Sequence, residues 1–464
     1  MYKGNYNLLG SGEIGEPPIP IEVVTEAGWS QWRAEAGSIA NRWVDSTQFF
    51  PKKSNICLVP DANGGLERVL VGVGQSTDVW TLAELPGRLP QGSYMVAPGL
   101  GSISSLGGLG MGWALGAYQF DQYKAAKRRP GLLVVPDAKE LREARILAGA
   151  VWLVRDLINT PANDMGPEEL AGVADQVAAV GDATVRHISG TDLLDEGYPT
   201  IHTVGRASHK EPRLIDLIWG PPEAPKVTLV GKGVCFDSGG LDLKPSENML
   251  LMKKDMGGAA HVLALAKIIM QLNLNVRLRV LIPAVENSVS GSSFRPGDVI
   301  KTRSGITVEV GNTDAEGRLI LCDALTEASQ DAPELIIDMA TLTGAARIAL
   351  GTEIAAMFTN NEALAEDLSV HSTHQQDPLW RMPLWPGYFD DLESRVADYS
   401  NVPSHRYGGA ISAGLFLQEF VSSGLVWAHF DIMGWNQKGR PGRPVGGEAF
   451  AVRALAALLL KRYG

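Results

Sequence analysis

The most constraining feature of the sequence is an alternation of apolar strands and helices that begins near residue 170. Four segments have the short, nearly continuous apolar runs that are typical of strands buried on both faces. They are VTLVGKG (227–233), VRLRVLIPAVEN (276–287), ELIIDMATLTG (334–344) and LVWAHFDIMG (425–434). Helical patterns separate them at 257–272 and 317–330. This order predicts an α/β fold with a central mixed, largely parallel sheet covered by helices on both faces.

The remainder of the chain predicts a second, smaller α/β domain. NICLVP and RVLVGVG are typical of short buried strands, and residues 137–159 carry a long helical pattern that ends near prolines. We therefore expect a small, divergent N-terminal α/β domain at 1–135, a connecting helix and linker at 136–165, and a larger C-terminal α/β domain at 166–464.

A glycine-rich segment, APGLGSISSLGGLGMGWALGAYQF (97–120), precedes the long helix. It does not fit the dinucleotide-binding pattern G-x-G-x-x-G cleanly, and no acidic residue follows at the distance that a ribose contact needs. We therefore favour close backbone packing and entry into a helix over phosphate binding.

Charge and composition exclude several classes of protein. The chain has 464 residues with 41 Lys and Arg against 52 Asp and Glu, which gives a net charge of −11 and makes nucleic acid a poor default partner. Three distant cysteines are no disulfide framework. The N-terminal 20 residues lack the apolar core of a signal peptide, and the run ILAGAVWLV (146–154) falls short of the roughly 20 residues of a membrane span. We expect a soluble, cytoplasmic protein with no membrane partner.

Charged residues fall at strand-to-loop or loop-to-helix junctions in the segment 230–261. Lys232 ends the first predicted strand, and Asp237 enters a Ser-Gly-Gly turn. Lys244 precedes a proline, which disfavours helix there, and Asp255 is followed by a sharp Met-Gly-Gly entry into an apolar helix. In an α/β sheet such junctions converge beyond the carboxyl ends of the strands. We therefore expect these four side chains to lie close together.

A second segment, GNTDAEGRLILCDAL (311–325), adds Asp314 and Glu316 in front of an apolar helix. Together with Asp237 and Asp255 they make four carboxylates, which would repel one another and raise one another's pKa values. Two divalent metal ions about 3.5–4 Å apart would satisfy that charge. Any one of these acids alone is more often a turn residue, so the prediction of a metal site depends on the joint pattern.

The joint pattern resembles the leucyl aminopeptidase family, also called the cytosol or M17 aminopeptidases. NTDAEGRL is that family's signature, and GKGVCFDSGG, LKPS and MKKDMGGAA match its metal-binding segment in order and spacing. NTPAND, DMATLTGA, YGGAISAGLFLQEF and WAHFDIMG are also similar, so the resemblance covers about residues 140–464. It implies a metallo-exopeptidase that hydrolyses the N-terminal peptide bond of peptides with a free α-amine, using a metal-bridged hydroxide.

The resemblance also implies roles for individual residues. Two divalent ions, Zn or Mn first with Mg or Co as alternatives, would be held by Lys232, Asp237, Asp255, Asp314 and Glu316. Asp237 and Glu316 would bridge the two ions. Lys244 and Arg318 would be the catalytic residues that are not ligands, and Arg318 would hold a bicarbonate cofactor that relays protons.

The pocket for the first residue of the substrate is predicted by the same resemblance. Met252, Thr341 and Gly344 would line it, and the backbone of Leu342 would help to hold the substrate. Met433 stands where the family often has a small residue, in DIMG rather than DIAG. It either narrows the pocket or fills the core.

Histidines form no close pair of metal ligands in this sequence. His261 and His429 fall in apolar elements, and we expect them to have packing and hydrogen-bonding roles. His371 and His374 are predicted to be exposed in a polar loop.

Assembly and alternative functions complete the expectations. The resemblance implies a homohexamer, a dimer of trimers, that acts on peptide substrates. Two alternatives stay open: a narrower dipeptidase such as a cysteinylglycinase, and a moonlighting DNA-binding or structural role. The sequence does not choose the preferred N-terminal residue, the physiological metal or peptide, or the role of the N-terminal domain.

Overall fold

A computed structural model of the chain describes residues 8–11, 17–98, 105–126 and 128–464. They form two compact units, a smaller one within 3–152 plus 438–445 and a larger one at 153–437 plus 446–464. Much of the N-terminal segment considered as a signal peptide, and residues 99–104 of the glycine-rich segment, lie outside the described residues. The domain boundaries expected near 135 and 165 stay a prediction.

The smaller unit contains a largely parallel sheet. Its strands are β1 (Leu9–Gly10), β2 (Ile19–Val24), β3 (Ile56–Pro60), β4 (Leu66–Gly72), β5 (Ser93–Val96) and β6 (Leu132–Val134). Among the described residues the strand order is β1-β6-β5-β2-β4-β3, and every pair is parallel except β3 with β4. Strands β3 and β4 lie where NICLVP and RVLVGVG predicted them, which confirms the α/β character of this part of the chain.

Helices of the smaller unit pack on this sheet, and one of them explains the glycine-rich segment. They are α1 (Trp29–Glu35), α2 (Gly37–Ser46), α3 (Leu85–Arg88), α4 (Leu106–Gly116) and α5 (Ala138–Asn159), of which α5 continues into the larger unit. A Cβ atom on Gly112 or Gly116 would stand 1.7 Å from the carbonyl oxygen of Val79 or Ala83. Because no side chain fits there, the glycines of α4 serve close backbone packing, as predicted.

The larger unit is built around a second sheet. The strands of the unit are β7 (Thr184–Ser189), β8 (Arg213–Trp219), β9 (Lys226–Gly231), β10 (Gly233–Asp237), β11 (Arg277–Asn287), β12 (Val299–Lys301), β13 (Thr307–Glu309), β14 (Leu335–Ala340), β15 (Ala355–Thr359), β16 (Leu379–Arg381), β17 (Tyr399–Ser400), β18 (Trp427–Asp431), β19 (Trp435–Asn436) and β20 (Gly446–Gly447). The main sheet has the order β16-β15-β18-β14-β9-β11-β8-β7, and β10 also pairs with β11. Strands β12, β13 and β17 form a small separate sheet, as do β19 and β20.

The centre of the main sheet is parallel and its flanks are mixed. The four central strands, β18, β14, β9 and β11, are parallel to one another. On the flanks, β15 pairs antiparallel with β18, and β8 pairs antiparallel with β11. The four central strands lie where the sequence predicted buried strands. The expectation of a mixed, largely parallel sheet is therefore confirmed.

Helices follow most strands of the larger unit. They are α6 (Pro167–Ala178), α7 (Asp192–Asp195), α8 (Pro199–Gly205), α9 (Ser246–Met249), α10 (Gly257–Leu272), α11 (Glu316–Gln330), α12 (Gly344–Leu350), α13 (Glu362–His374), α14 (Gly409–Gln418) and α15 (Val452–Tyr463), with 3-10 turns at Met252–Met256, Pro386–Tyr388 and Asp390–Leu392. Helices α10 and α11 match the predicted helical segments almost residue for residue. Both are buried along nearly their whole length, so they fix the loops at their N-termini firmly.

One local prediction was wrong. His371 and His374 lie in the last turns of α13, not in a polar loop, and His371 is only partly exposed. Asn361 caps this helix by accepting a hydrogen bond from the backbone of Leu364, and such a cap outweighs the polar composition that suggested a loop.

Within the described part of the chain, no helix is both long enough and apolar enough to cross a membrane.

Candidate metal centre

The position of Lys232 follows from an interruption in the main sheet. Strands β9 and β10 both pair with β11 in parallel, one after the other, and Lys232 is the single residue between them. Its backbone nitrogen donates instead to the carbonyl of Met339 at the end of β14, and its carbonyl accepts from Ala259 in α10. The side chain is buried and points at the carboxylates that follow the neighbouring strand ends.

Three carboxylates form a tight buried group next to this lysine. Asp237 ends β10, Asp255 lies in the 3-10 turn before α10, and Glu316 is the first residue of α11. One oxygen atom from each lies within 4.8 Å of the others, and all three side chains are buried. The Lys232 ammonium is 2.8 Å from Asp255 Oδ2 and 2.9 Å from Glu316 Oε1.

Lys244 and Asp314 border this group on its more exposed side. The Lys244 ammonium lies 2.8 Å from Asp237 Oδ2 and also donates to Asp314 Oδ1. The Asp314 side chain keeps 31% of its surface exposed, so it is the carboxylate nearest to solvent. The structure thus brings all five predicted metal ligands and Lys244 into one cluster.

The electrostatics of the cluster are those of crowded carboxylates. Burial, with the charge of Asp255, raises the pKa of Asp237 to about 6, and burial with the charge of Asp237 raises the pKa of Glu316 to about 7. Burial acts to lower the pKa of Lys232, but the surrounding carboxylates outweigh it and raise that pKa.

The donor atoms fit divalent metal ions. Asp255 Oδ2 and Glu316 Oε1 are buried, and their partner among the described residues is the Lys232 ammonium, at 2.8 and 2.9 Å. Two ammonium groups, of Lys232 and Lys244, face four carboxylates in this cluster, so negative charge is left over that further cations can balance. A set of carboxylates with one amine suits Zn, Mn, Mg or Co, and the donors alone do not choose among these ions.

Two residues that hold the ligands were missed by the sequence reasoning. Asn287, the last residue of β11, donates through Nδ2 to Asp237 Oδ1 at 2.9 Å and to the carbonyl of Thr313 at 3.0 Å. The Thr313 hydroxyl in turn donates to the carbonyl of Gly239 at 2.6 Å. These bonds tie the loop of Asp237 to the loop of Asp314. The position of Asn287 at the carboxyl end of a predicted central strand was a signal that could have found it.

Arg318 is placed to bind an anion. It lies one turn into α11 and is buried, and its Nη1 donates to the carbonyl of Asn401 at 2.6 Å. Its Nε has no hydrogen-bond partner, and among the described residues no carboxylate lies within ion-pair distance. Burial lowers the pKa of Arg318 to about 10. A buried guanidinium with unused donors suits a small planar oxyanion.

The residues predicted to line the first-residue pocket lie around Asp255. Thr341 Oγ1 donates to Asp255 Oδ1 at 2.8 Å, and Met252 is buried in the same 3-10 turn. Gly344 is the first residue of α12, and Met433 is buried beside that helix, with its Sδ 3.8 Å from Arg347 Nη1. 

Asp431 holds the backbone of Leu342, the remaining residue predicted to contact the substrate. The Leu342 nitrogen donates to Asp431 Oδ1 at 3.0 Å. The same carboxylate also accepts from the Thr343 nitrogen and hydroxyl, so this turn is fixed in one conformation.

The two buried histidines have structural partners. His261 Nδ1 lies 2.5 Å from the Gly257 carbonyl, and its Nε2 accepts from the Phe450 nitrogen. His429 Nδ1 lies 2.5 Å from Asp338 Oδ1, so its carboxylate partner is on β14 and not on its own strand. Neither ring contacts the carboxylate group around Lys232 in a described hydrogen bond.

The fold and the site together define an α/β protein with a buried acidic centre suited to divalent metal ions. The model of the catalytic domain of the cytosol aminopeptidase family matches residues 152–456, and the model of the M17 aminopeptidase N-terminal domain matches residues 19–136. The chain belongs to the cytosol aminopeptidase family, and it is a peptidase.

Known proteins similar to this chain agree with that assignment. A probable cytosol aminopeptidase from Syntrophotalea carbinolica is 43% identical over 366 residues, which cover 75% of this chain and 73% of the relative. The crystal structure of a cytosol aminopeptidase from Coxiella burnetii has a TM-score of 0.94 and 45% identity over 99% of this chain and 100% of that one. The bottromycin maturation enzyme BotP, solved in complex with Mn, has a TM-score of 0.85 and 33% identity over 96% of this chain and 99% of that one.

Proposed function

We propose that this chain is a two-metal aminopeptidase that removes the N-terminal residue from peptides with a free α-amine. The observation that carries the proposal is the buried group of Asp237, Asp255 and Glu316, whose oxygen atoms lie within 4.8 Å of one another beside Lys232. Membership of the cytosol aminopeptidase family supports the substrate class.

The proposed ligands are the five clustered residues Lys232, Asp237, Asp255, Asp314 and Glu316. When bound, two divalent ions lower the pKa of a water molecule toward neutrality and polarise the scissile carbonyl group. Mn is the first ion to test, because the similar enzyme BotP was solved with it; Zn, Mg and Co are the alternatives.

The chain's own residues supply the rest of the proposed chemistry. The Lys244 ammonium, which borders the carboxylates, stabilises the oxyanion that develops on the substrate carbonyl. Asp255 receives the α-amine of the substrate, which restricts cleavage to the first peptide bond. Arg318 would hold bicarbonate with its unused donors, and bicarbonate bound there would supply a proton acceptor that no histidine among the described residues of the cluster provides.

The first test removes the metal and then its ligands. Chelation is expected to abolish hydrolysis of aminoacyl anilides, and added Mn²⁺ to restore it. Asp255→Asn and Glu316→Gln are each expected to lower kcat/KM by at least about a hundred-fold. Removing a direct metal ligand lowers activity more than removing a residue that only orients a ligand.

A matched control for that test is Glu247→Gln, which removes an exposed carboxylate from the loop of the same site. Its kcat/KM should stay within a few-fold of the parent value. Near-parental activity in the Asp255 and Glu316 variants would refute the metal assignment.

Assembly is a separate part of the proposal. We infer from family membership that the chain forms a homohexamer in the cytoplasm. Light scattering on the purified protein is expected to give a mass six times that of the chain, and a stable monomer would contradict it.

A further inference from the structure

Two positively charged side chains beside the predicted first-residue pocket have no carboxylate partner. Lys254 is 5% exposed, and no carboxylate oxygen of a described residue lies within 4.0 Å of its ammonium. The same holds for Arg347 on α12, whose described side-chain bond is to the sulfur of Met433. A lysine buried without a counter-ion is costly, so its position calls for a functional explanation.

The contacts of Arg347 place it against the pocket residues. Its Nη1 is 3.8 Å from Met433 Sδ, and its Nη2 is 3.3 Å from the point where a Cβ atom on Gly344 would stand. Both neighbours belong to the set predicted to surround the first side chain of the substrate. Arg347 is exposed on its helix, so its guanidinium borders the pocket from the solvent side.

The backbone of Lys254 lies beside the same predicted residues. Lys254 is in the 3-10 turn between Met252 and Asp255, and its backbone carbonyl is 3.8 Å from the Cβ position of Gly434, next to Met433. The charge of Arg347 acts to lower the pKa of Lys254, whereas the charges of Asp255 and Asp431 act to raise it. Lys254 and Arg347 therefore place two positive charges on elements that carry predicted pocket residues.

Carboxylates in this neighbourhood already have other partners. Asp255 accepts from Thr341 and contacts the Lys232 ammonium. Asp431 accepts from the backbone of Leu342 and from Thr343. Both carboxylates act on Lys254 at longer range, but neither is within ion-pair distance of Lys254 or Arg347, so the two cations have no direct carboxylate partner among the described residues.

We propose that the first-residue pocket takes an acidic side chain, and that the substrates are peptides with N-terminal Glu or Asp. This specificity rests on the proposed aminopeptidase function. The carboxylate of such a residue pairs with Lys254 at the buried end and with Arg347 at the rim, where an Arg fork binds a carboxylate bidentately. An apolar first residue leaves the buried Lys254 ammonium without a direct partner and offers none to Arg347, and the site discriminates against it for that reason.

The test compares first residues on the Mn²⁺-loaded full-length enzyme. We expect kcat/KM for Glu and Asp p-nitroanilides to equal or exceed that for Leu p-nitroanilide. Lys254→Met and Arg347→Met should each lower the Glu-to-Leu ratio of kcat/KM by roughly ten- to hundred-fold, as expected for loss of a charged hydrogen bond. Arg347→Glu should move the preference toward Lys p-nitroanilide.

The matched control is Lys253→Met, which removes a neighbouring lysine that donates to the Asn159 carbonyl instead. Its Glu-to-Leu ratio should stay within two-fold of the parent. Should Lys254→Met fail to fold, the two variants at the exposed Arg347 decide the question. Efficient Leu hydrolysis with at least ten-fold weaker Glu hydrolysis, or unchanged ratios in all variants, would overturn the specificity and leave the aminopeptidase function standing. Absence of hydrolysis of every anilide would instead refute the proposed function.

Discussion

At the scale of residues, the site shows how neighbours decide what a charged side chain does. Lys232, between β9 and β10, faces three carboxylates, whereas Lys253, in the 3-10 turn before α10, donates to a backbone carbonyl. The order of its motif led us to group Lys232 with these carboxylates, and its role as a metal ligand stays a prediction. We gave no weight to Lys254, since a second lysine in KKDMGG has no signature of its own.

The prediction at the residue scale concerns the binding of bicarbonate by Arg318. Its buried guanidinium has an unused Nε, so we expect added bicarbonate to raise the rate of anilide hydrolysis in bicarbonate-depleted buffer. Arg318→Met should lose this response and about a hundred-fold in kcat, the usual contribution of general acid–base catalysis.

Arg295→Met provides the comparison, because it removes an exposed arginine whose ion-pair partner among the described residues is Asp298. This variant should respond to bicarbonate as the parent does. A response that survives in Arg318→Met would show that the anion acts elsewhere.

At the scale of elements, the start of α10 decides the geometry of the centre. Gly258 lies so close to the end of β14 that a Cβ atom there would stand 2.0 Å from the Met339 carbonyl oxygen and 2.8 Å from the Lys232 nitrogen. The helix can therefore approach the sheet only because this position is glycine. The close approach sets Asp255, which precedes α10, beside Lys232.

Gly258→Ala is expected to destabilise the fold by about 3 kcal/mol or more, because a backbone carbonyl cannot move aside as a side chain can. Urea unfolding measures this change. Gly291→Ala is the control, since a Cβ atom there meets nothing within 4 Å, and it should shift stability by less than about 0.5 kcal/mol. Equal stability of the two variants would contradict the close packing of α10 on β14.

The sequence predicted the main strands and helices of the larger unit, but not all of the contacts between them. Strands β9, β11, β14 and β18 and helices α10 and α11 were predicted, because their apolar periodicity is long and regular. The cap on α13 was overlooked, and with it the helical position of His371 and His374. The place of Asn287 at the end of a predicted strand was a signal, but the partners of its amide could not be read from the sequence, because they are 50 and 26 residues away.

At the scale of the whole molecule, metal binding and folding should be coupled. An ion that binds only the folded chain stabilises it by about 2.7 kcal/mol at a free concentration of 100 times Kd. We therefore expect Mn²⁺ to raise the melting temperature of the protein, as measured by calorimetry.

Two variants distinguish the binding of Mn²⁺ from catalysis. Asp255→Asn should lose most of the Mn²⁺-dependent rise in melting temperature. Lys244→Met should keep that rise while its kcat falls by roughly a hundred-fold or more, because it removes the group that stabilises the oxyanion. An undiminished rise in Asp255→Asn would place the ion somewhere else.

The sequence by itself determined the α/β class, the central strands and helices, the family, and the residues from which a metal centre can be made. These properties depend on local periodicity and on short motifs, which a linear chain displays directly. Only the tertiary structure decided how the residues meet: the bond from the Lys232 backbone to β14, the amide of Asn287 between two loops, and the contact of the Arg347 guanidinium with the Met433 sulfur. Contacts of this kind join residues that are far apart in the chain, so they exist only after the helices have packed on the sheet.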